Sequence, residues 1–316
     1  MSESTLFKKM TLIGAGLIGS SIAHAARRKN LVEHIAAYIP RAETRDKAAK
    51  ADFAHSLHGE LAPALEGADL VVLATPIGTY GELAAKIAPH LKKGAIVTDV
   101  GSVKSVVIRD VGPHVPEGVH FIPGHPVAGT EQSGPEAGFA ELFDGRWCIL
   151  TPPPGADAAA VVTLKNFWRQ LGSEVEVMEP KHHDLVMAIV SHVPHLIAYN
   201  IVGTAADLET VTQSEVIKFS ASGFRDFTRI AASDPTMWRD IFLTNRDAVL
   251  EMLGRFNEDL AALQRAVRWG DGEALFNLFT RTRAIRRSII QAGQDTAAPN
   301  FGRSGSGGSG GDGGGS

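Results

Sequence analysis

The sequence predicts an α/β fold, in which a mostly parallel sheet domain is followed by an all-helical domain. In the first half of the 316 residues, short apolar runs alternate with helix-length segments, which is typical of βαβ units. Beyond residue 180 this alternation gives way to long apolar repeats at helical spacing. We therefore expect a sheet domain over 1–180, a helical domain over 181–295 and a disordered Gly/Ser-rich tail over 296–316.

The predicted strands are the short apolar runs of the first half. They cover 10–13, 34–39, 68–74, 95–99, 119–123, 147–151 and 174–178. The run TPPPG at 151–155 is predicted to be a loop, because three successive prolines cannot continue a central strand. The helical repeats that follow cover 183–207, 212–221, 235–267 and 271–293.

Composition excludes several classes of protein. The formal net charge is −4 and no long basic run occurs, so we expect no nucleic-acid partner. The single cysteine, Cys148, cannot form an internal disulfide or a cysteine-based zinc site, which fits a reducing compartment. The N-terminal segment MSESTLFKKM has no apolar stretch of the kind found in secretory signals. A cytoplasmic location is therefore expected.

One segment has the length of a membrane span. Residues 185–206 contain no Asp, Glu, Lys or Arg over 22 positions. The same segment contains five residues that are unusual in a lipid-exposed helix, namely Ser191, His192, Pro194, His195 and Asn200. We therefore expect a helix buried in a soluble protein, with no membrane partner.

A dinucleotide site is predicted at the first strand–helix junction. The segment Gly14-Ala15-Gly16-Leu17-Ile18-Gly19 is a G-x-G-x-x-G pattern, and it follows an apolar strand and opens a helix. Amides at the start of that helix, including those of Leu17 and Ile18, would hold a pyrophosphate, as in a Rossmann-type domain. The further candidates for cofactor binding, at the ends of later strands, are Thr75 and Gly101.

The end of the second strand predicts that NADP is preferred over NAD. An NAD site usually has Asp or Glu about 20 residues after the glycines. No acid stands near Ile39, whereas Arg41 and Arg45 follow, and a guanidinium can bind a 2′-phosphate. The alternative is that both arginines lie on a solvated helix start and NAD is used.

Two polar loops follow neighbouring strands, where ligands of open parallel sheets bind. Ser102 lies directly after the strand at 95–99, and His125 lies just after the strand at 119–123. A histidine between Gly124 and Pro126 has a fixed backbone and a pKa suited to proton transfer. A lone histidine is more often structural, but the neighbouring loop favours a catalytic role.

A third polar cluster lies in the helical half. Ser191 and His195 are four residues apart on one helix and share a face. Arg225 and Arg229 stand among apolar helices, where arginines usually have a partner or a ligand carboxylate. No third ligand at useful spacing joins His192 and His195, so no metal site is predicted.

Five ordered motifs within residues 10–245 resemble those of the prephenate/arogenate dehydrogenase family, most closely its cyclohexadienyl dehydrogenases without a regulatory domain. The motifs are GAGLIGSS, DVGSVKS, GHPVAGTEQSG, SHVPHLIAYN and GFRDFTRIAASDPTMWRDI. The resemblance implies oxidative decarboxylation of prephenate to 4-hydroxyphenylpyruvate, or of arogenate to tyrosine, with hydride transfer to NAD(P). It also implies that tyrosine acts, if at all, as a competitive inhibitor at the active site.

The resemblance assigns roles to individual residues. His125 matches the family's catalytic histidine, and Ser102 matches the serine that orients the histidine and the substrate hydroxyl. Arg229 matches the arginine that binds a substrate carboxylate. The other matching positions around the substrate are Ser191, His195, Thr130 and Trp238. Three nearby acids are candidates for tethering the arginine: Asp184, Glu131 and Asp226.

Several alternatives stay open from the sequence. Another dehydrogenase with a Rossmann-type and a helical domain, or a nicotinamide-binding redox sensor, would share the overall pattern. Neither spacing nor composition ranks prephenate against arogenate, or strict NADP use against dual use. Apolar helices in so small a second domain often bury their faces against another subunit, so a homodimer is expected.

Overall fold

The computed structural model describes residues 5–130, 132–207, 215, 218–219 and 221–291. The tail expected over 296–316 lies outside the described residues, as does most of the helical repeat expected over 212–221.

The first domain is built on a six-stranded parallel sheet. Its strands are β1 (Phe7–Ile13), β2 (Val32–Tyr38), β3 (Ser56–His58), β4 (Leu70–Leu73), β5 (Ile96–Asp99) and β6 (His120–Phe121). They lie in the order β3-β2-β1-β4-β5-β6, and every pair is parallel. The order reverses direction beside β1, which is where dinucleotide-binding sheets hold their ligand.

Helices cover both faces of this sheet. They are α1 (Leu17–Arg28), α2 (Ala42–Ala51), α3 (Leu61–Leu65), α4 (Tyr80–Ile87) and α5 (Ser105–Val111). Strand β4 is apolar at every position because Leu70 and Val72 enter one hydrophobic core while Val71 and Leu73 enter the other. The α/β prediction is therefore confirmed, including the near-continuous apolar runs of a doubly covered sheet.

A second, three-stranded sheet follows. Its strands are β7 (Gly124–Pro126), β8 (Trp147–Leu150) and β9 (Glu174–Val177), and helix α6 (Ala158–Gln170) lies between the last two in sequence. β7 pairs antiparallel with β8, and β8 pairs parallel with β9. Residues 151–155 form a loop, as the prolines require.

Among the described residues after Val177, all regular structure is helical. The helices are α7 (Pro180–Met187), α8 (Val193–Ala206), α9 (Ser222–Thr228), α10 (Pro235–Thr244), α11 (Arg246–Trp269) and α12 (Gly272–Gln291). A π-helical turn over Ala188–His192 joins α7 to α8. Between α9 and α10 lies a 3₁₀ turn over Arg229–Ala232.

Two of the expected helices are interrupted. The repeat at 183–207 widens into the π turn just before Pro194, whose missing N–H and bulky ring disfavour a regular α-helix there. The repeat at 235–267 is two helices, because Asn245 leaves the helical conformation with φ −105° and ψ 29°. Sequence periodicity detects neither break, since the apolar spacing continues across both.

The chain forms two compact units. Of the described residues, the first unit contains those within Met1–Val216 and Thr228–Met252, and the second contains those within Ile217–Phe227 and Leu253–Ser316. In the second unit, the described helical residues leave several large apolar side chains exposed, among them Val267, Trp269, Phe276 and Phe279.

One helical stretch of the described chain, Pro180–Ala206, is long and apolar enough to cross a membrane by length and composition. Its mean hydropathy is 1.7 over the most apolar window, of which 28% is buried. Four large side chains of this stretch are exposed in the single chain, namely Ile189, Val190, Ile201 and Val202. The stretch is thus less buried than expected for the core helix of one subunit.

Candidate active site

The turn between β1 and α1 has the geometry of a phosphate-binding loop. Gly14 has φ +106°, and a Cβ there would lie 2.8 Å from the carbonyl oxygen of Ala74. A Cβ on Gly19 would lie 2.8 Å from the carbonyl oxygen of Gly14, so α1 packs directly against the turn. Both positions therefore exclude any side chain.

Gly16 differs from its two neighbours in the motif. It is the N-cap of α1, and no atom lies within 4 Å of a Cβ built on it. Leu17 and Ile18 begin the helix, whose first amides have no partner within the helix itself. This open space in front of free amides fits the pyrophosphate of a dinucleotide. Thr75 stands beside the turn, and its Oγ1 lies 2.8 Å from Oγ1 of Thr79.

The two arginines after β2 have different surroundings. Nη1 of Arg45 donates to the carbonyl oxygens of Ile39 and Pro40, each at 2.7 Å, so this guanidinium holds the end of the strand. Arg41 is the N-cap residue of α2 and is exposed. Of the two, Arg41 is therefore the better placed to meet a ligand from solvent.

A buried ion pair joins the loop that carries Ser102 to strand β7, where His125 lies instead of in the expected loop. Nζ of Lys104 lies 2.5 Å from Oδ2 of Asp99, and both side chains are fully buried. The same ammonium donates to the carbonyl oxygen of Gly124 at 2.7 Å, while the Gly124 amide donates to Asp99 Oδ1 at 3.1 Å. The amide of Gly101 also donates to Asp99, at 2.7 Å. The ends of β5 and β7 are thus held together.

His125 begins a chain of three hydrogen-bonded side chains. Its Nδ1 lies 2.8 Å from Nε2 of His183, and Nδ1 of His183 lies 2.9 Å from Oδ1 of Asp184. The two rings meet edge to face, with an interplanar angle of 72°. All three side chains are buried. The residue that holds the His125 ring is therefore His183, not the expected Ser102, which lies half-buried in the loop after β5.

Asp184 is fixed from several sides. Its carboxylate accepts the backbone amides of Lys104 and Ser105 at 2.7 and 2.8 Å. The backbone carbonyl oxygen of Asp184 accepts a hydrogen bond from Nδ2 of Asn245 at 2.9 Å. The same Nδ2 lies 3.0 Å from Nδ1 of His192. Burial opposes ionisation of Asp184, but the hydrogen bonds from His183 and from the amides hold its pKa below the usual value. The carboxylate is therefore ionised at neutral pH.

The surroundings of His125 keep its ring neutral. Burial lowers the pKa of His125 well below 6.5, and His183, Lys104 and His192 lower it further. Burial likewise lowers the pKa of His192, to about 4. A neutral imidazole with one free nitrogen is the form that a general base requires.

The helical side of the site has a second histidine. His195 stacks on Trp238, with ring centroids 3.6 Å apart and an interplanar angle of 22°. Nδ1 of His195 donates to the carbonyl oxygen of Ser191 at 2.8 Å, which leaves Nε2 as an acceptor. Burial lowers the pKa of His195, and the charge of Arg229 lowers it further. The structure therefore brings these four expected residues together.

The remaining expected residues lie elsewhere or play other parts. Thr130 is on the exposed loop after β7, where its Oγ1 accepts the amide of Gln132 at 3.2 Å. Glu131 lies outside the described residues. Asp184 binds a histidine rather than tethering an arginine, and Asp226 pairs with its neighbour Arg225 at 3.3 Å.

The sequence did not predict a role at this site for three residues, namely His183, Lys104 and Asn245. His183 is 58 positions from His125, and Lys104 is 80 positions from Asp184. The one signal in the sequence is the adjacent pair His183-Asp184 at the start of a helix, which no spacing rule links to His125. Among the described residues, no cluster of His, Cys, Asp and Glu has the arrangement of a metal site.

Comparison with known proteins identifies relatives of the whole chain. Two family models match, "Prephenate dehydrogenase, nucleotide-binding domain" over residues 22–177 and "Prephenate dehydrogenase, dimerization domain" over residues 179–281. A cyclohexadienyl dehydrogenase of Zymomonas mobilis is 38% identical over 285 residues, which are 90% of this chain and 97% of the relative.

Two solved structures are similar throughout. A prephenate dehydrogenase from A. aeolicus, in complex with hydroxyphenyl propionate and NAD+, has a TM-score of 0.84 and 34% identity, covering 92% of this chain and 100% of that one. A Synechocystis arogenate dehydrogenase has a TM-score of 0.76 and 26% identity, covering 89% and 99% of the two chains.

Proposed function

Because this chain belongs to the prephenate dehydrogenase family, we propose that it oxidatively decarboxylates prephenate, arogenate or both in tyrosine biosynthesis. Prephenate would give 4-hydroxyphenylpyruvate and arogenate would give tyrosine. The observation that carries the proposal is the buried, neutral His125 ring, held by His183 close to the loop that follows β5. Relatives named for both substrates support the broad assignment.

In the proposed reaction, Nε2 of His125 accepts the proton of the ring hydroxyl. The bound nicotinamide supplies the hydride acceptor for ring C4. The C1–carboxylate bond breaks, its electron pair completes the aromatic ring as carbon dioxide leaves, and the phenolate oxygen takes the proton back from Nε2 of His125. Removal of the hydroxyl proton prevents positive charge from building on the oxygen as the hydride departs. Ser102 would orient the same hydroxyl from the loop after β5.

The helical residues would hold the rest of the substrate. Arg229 is proposed to bind a carboxylate, since a guanidinium matches that group with two parallel hydrogen bonds. Trp238 and the His195 ring stacked on it offer an aromatic surface and an acceptor nitrogen. Ser191 and Thr130 are the remaining candidates for substrate contacts. Holding the substrate in one orientation accounts for much of the expected rate gain.

The nucleotide-binding domain takes NAD(P) as cofactor, and we propose that NADP is preferred. Exposed Arg41 at the start of α2, with no acid near Ile39, supports this preference. Arg41→Asp should lower the NADP-to-NAD ratio of kcat/KM by about 10- to 100-fold, the usual worth of a charged hydrogen bond. Lys50→Ala, at the other end of α2, is the control. A wild-type enzyme that clearly favours NAD would refute the preference.

The proposed partner is a second copy of the chain, since the matched helical model is a dimerisation domain. Exposed apolar side chains of the Pro180–Ala206 stretch give such a copy a surface to cover. We further propose a cytoplasmic location, as expected from the single buried cysteine.

The activity is tested by product analysis. The purified protein is incubated with prephenate or arogenate and with NADP or NAD, and the products are separated by chromatography. We expect 4-hydroxyphenylpyruvate or tyrosine in amounts equal to the reduced cofactor formed. Added tyrosine should raise KM without changing kcat if it competes at the site. Absence of both products with both cofactors would reject the proposed function.

A further inference from the structure

The two nitrogens of the His125 ring are not equivalent in this structure. A neutral imidazole carries one proton, so one nitrogen donates a hydrogen bond and the other accepts one. Only the nitrogen without a proton can act as a base. Nδ1 of His125 faces Nε2 of His183 at 2.8 Å, and the proton between these two atoms decides which nitrogen of His125 is the base.

The position of that proton follows from Asp184. An ionised carboxylate only accepts hydrogen bonds, so Nδ1 of His183, 2.9 Å from Oδ1 of Asp184, must carry a proton. A neutral His183 then has a lone pair at Nε2. Nδ1 of His125 consequently carries the proton shared with His183, and Nε2 of His125 is the free base.

Asp184 is held in the ionised form that the hydrogen bonds from Asp184 through His183 to His125 require. Its oxygens accept the amides of Lys104 and Ser105, and both amides are fixed donors at the start of α5. Asn245 holds the backbone carbonyl of Asp184 from α10's C-terminal end. His183 itself is fully buried, so no solvent competes for either of its nitrogens.

We propose that His183 and Asp184 are positioning residues that fix the tautomer of His125 and stabilise the imidazolium formed when His125 accepts the substrate proton. The proposal rests on the proposed function for its catalytic consequence. The proton moves from the substrate hydroxyl to Nε2 of His125, while Nδ1 of His125 and Nδ1 of His183 keep theirs. The negative charge of Asp184 then stabilises the positive charge on His125 through the polarised ring of His183.

Two substitutions at His183 separate positioning from packing. His183→Phe keeps an aromatic ring of similar size but removes both nitrogens. It should lower kcat by about 10²-fold while KM changes less than about threefold, because loss of the histidine-orienting group in related triads costs up to ~10⁴. His183→Gln retains an oxygen that can accept a hydrogen bond from Nδ1 of His125. Its kcat should therefore be at least about tenfold higher than that of His183→Phe.

The control is His182→Phe, which alters the exposed histidine next to His183 and should leave kcat unchanged. Equal kcat in wild type and His183→Phe would overturn the proposal. So would equal losses in His183→Phe and His183→Gln, because a purely structural role would not distinguish an acceptor from a ring.

A second measurement needs neither turnover nor a variant at His183. In the wild-type protein labelled with ¹⁵N-histidine, the His125 signals are assigned by their loss in His125→Asn. The nitrogen shifts should report a neutral ring protonated at Nδ1. A ring protonated at Nε2 would overturn the proposal even if the enzyme is active. Lack of turnover with both substrates would reject the proposed function, while the Nδ1-protonated ring would still stand.

Discussion

At the scale of single residues, the chemistry of His125 is set by its surroundings. Burial and the nearby Lys104 charge keep the ring neutral, and His183 occupies one of its two nitrogens. The Asp99–Lys104 pair fixes the strand end that carries it, through the carbonyl and amide of Gly124. A histidine that is neutral, oriented and desolvated meets the requirements of a general base without any metal ligand.

Arg229 provides a test at the same scale. Arg229→Ala should raise KM for prephenate by about 10- to 100-fold and change kcat less, because a charged hydrogen bond to carboxylate contributes about 1.5–3 kcal/mol. Steady-state kinetics at saturating cofactor measure both constants. Arg109→Ala is the matched control, since Arg109 is exposed and pairs with its neighbour Asp110. Unchanged KM in Arg229→Ala would count against carboxylate binding.

At the scale of elements, different glycines of the phosphate-binding turn serve the fold and the binding of the cofactor. Gly14 is strained for any other residue and is in close contact with Ala74, whereas Gly16 faces open space. The same glycine pattern therefore has two physical causes. One position serves the fold, and the other leaves room for a ligand.

Two glycine substitutions test this division. Gly16→Ala should leave the melting temperature nearly unchanged but raise the cofactor Kd by at least about tenfold, because the methyl group would occupy the approach to the pyrophosphate. Gly14→Ala should lower the melting temperature by several degrees, since the residue has positive φ and clashes with backbone. Thermal unfolding and fluorescence titration measure the two effects. Gly16→Ala with wild-type cofactor affinity would contradict the assignment.

The sequence predicted most elements but not the breaks within them. Short apolar runs predicted β1, β2, β4, β5, β6, β8 and β9, because each of these strands carries its apolar residues within its own segment. The short strands β3 and β7 lack such runs, and the π turn at Ala188–His192 lies inside an unbroken apolar repeat. Nothing in the sequence distinguishes Asn245 from an ordinary helical residue, because its role depends on its hydrogen bond to the carbonyl oxygen of Asp184.

The same limit applies to the site. Ser102 and the glycines follow strands of the six-stranded sheet, so topology alone places them at one edge of it. His125 also comes soon after β6, but it lies in strand β7 of the second sheet, which the sequence did not predict. His183 and Lys104 act through contacts between segments far apart in the chain. Such contacts depend on how helices α5 and α7 pack, which no local pattern in the sequence determines.

At the scale of the whole molecule, buried neutral histidines couple stability to pH. Burial lowers the pKa values of His125, His183 and His192 from 6.5, and that of His192 to about 4. The unfolded chain therefore binds protons more readily than the folded one as the pH falls below 6.5. The stability from these neutral rings is complete above that pH and is lost progressively on acidification.

Thermal unfolding measured from about pH 8 down to about pH 5 tests this coupling. The melting temperature should be level at the upper end and fall as the pH drops below the ordinary histidine pKa. His192→Gln should reduce the fall, and His90→Asn, at an exposed site, should not. A melting temperature that rises on acidification would contradict neutral burial of these rings.

The exposed apolar side chains of the helical residues bear on assembly. Ile189, Val190, Ile201 and Val202 are solvent-exposed in the single chain, and so, in the second unit, are Trp269 and Phe276. Sedimentation velocity over a wide concentration range should therefore give the mass of a dimer. A monomer mass at every concentration would refute the proposed partner.

The catalytic role of His125 is tested most directly by the turnover of His125→Asn with prephenate and the preferred cofactor. The kcat should fall by about 10²–10⁴ while KM stays within about threefold, because the substitution removes a base that acts in the transition state. The wild-type enzyme under the same conditions is the reference. A variant with kcat close to the wild-type value would contradict the assignment of His125 as the base.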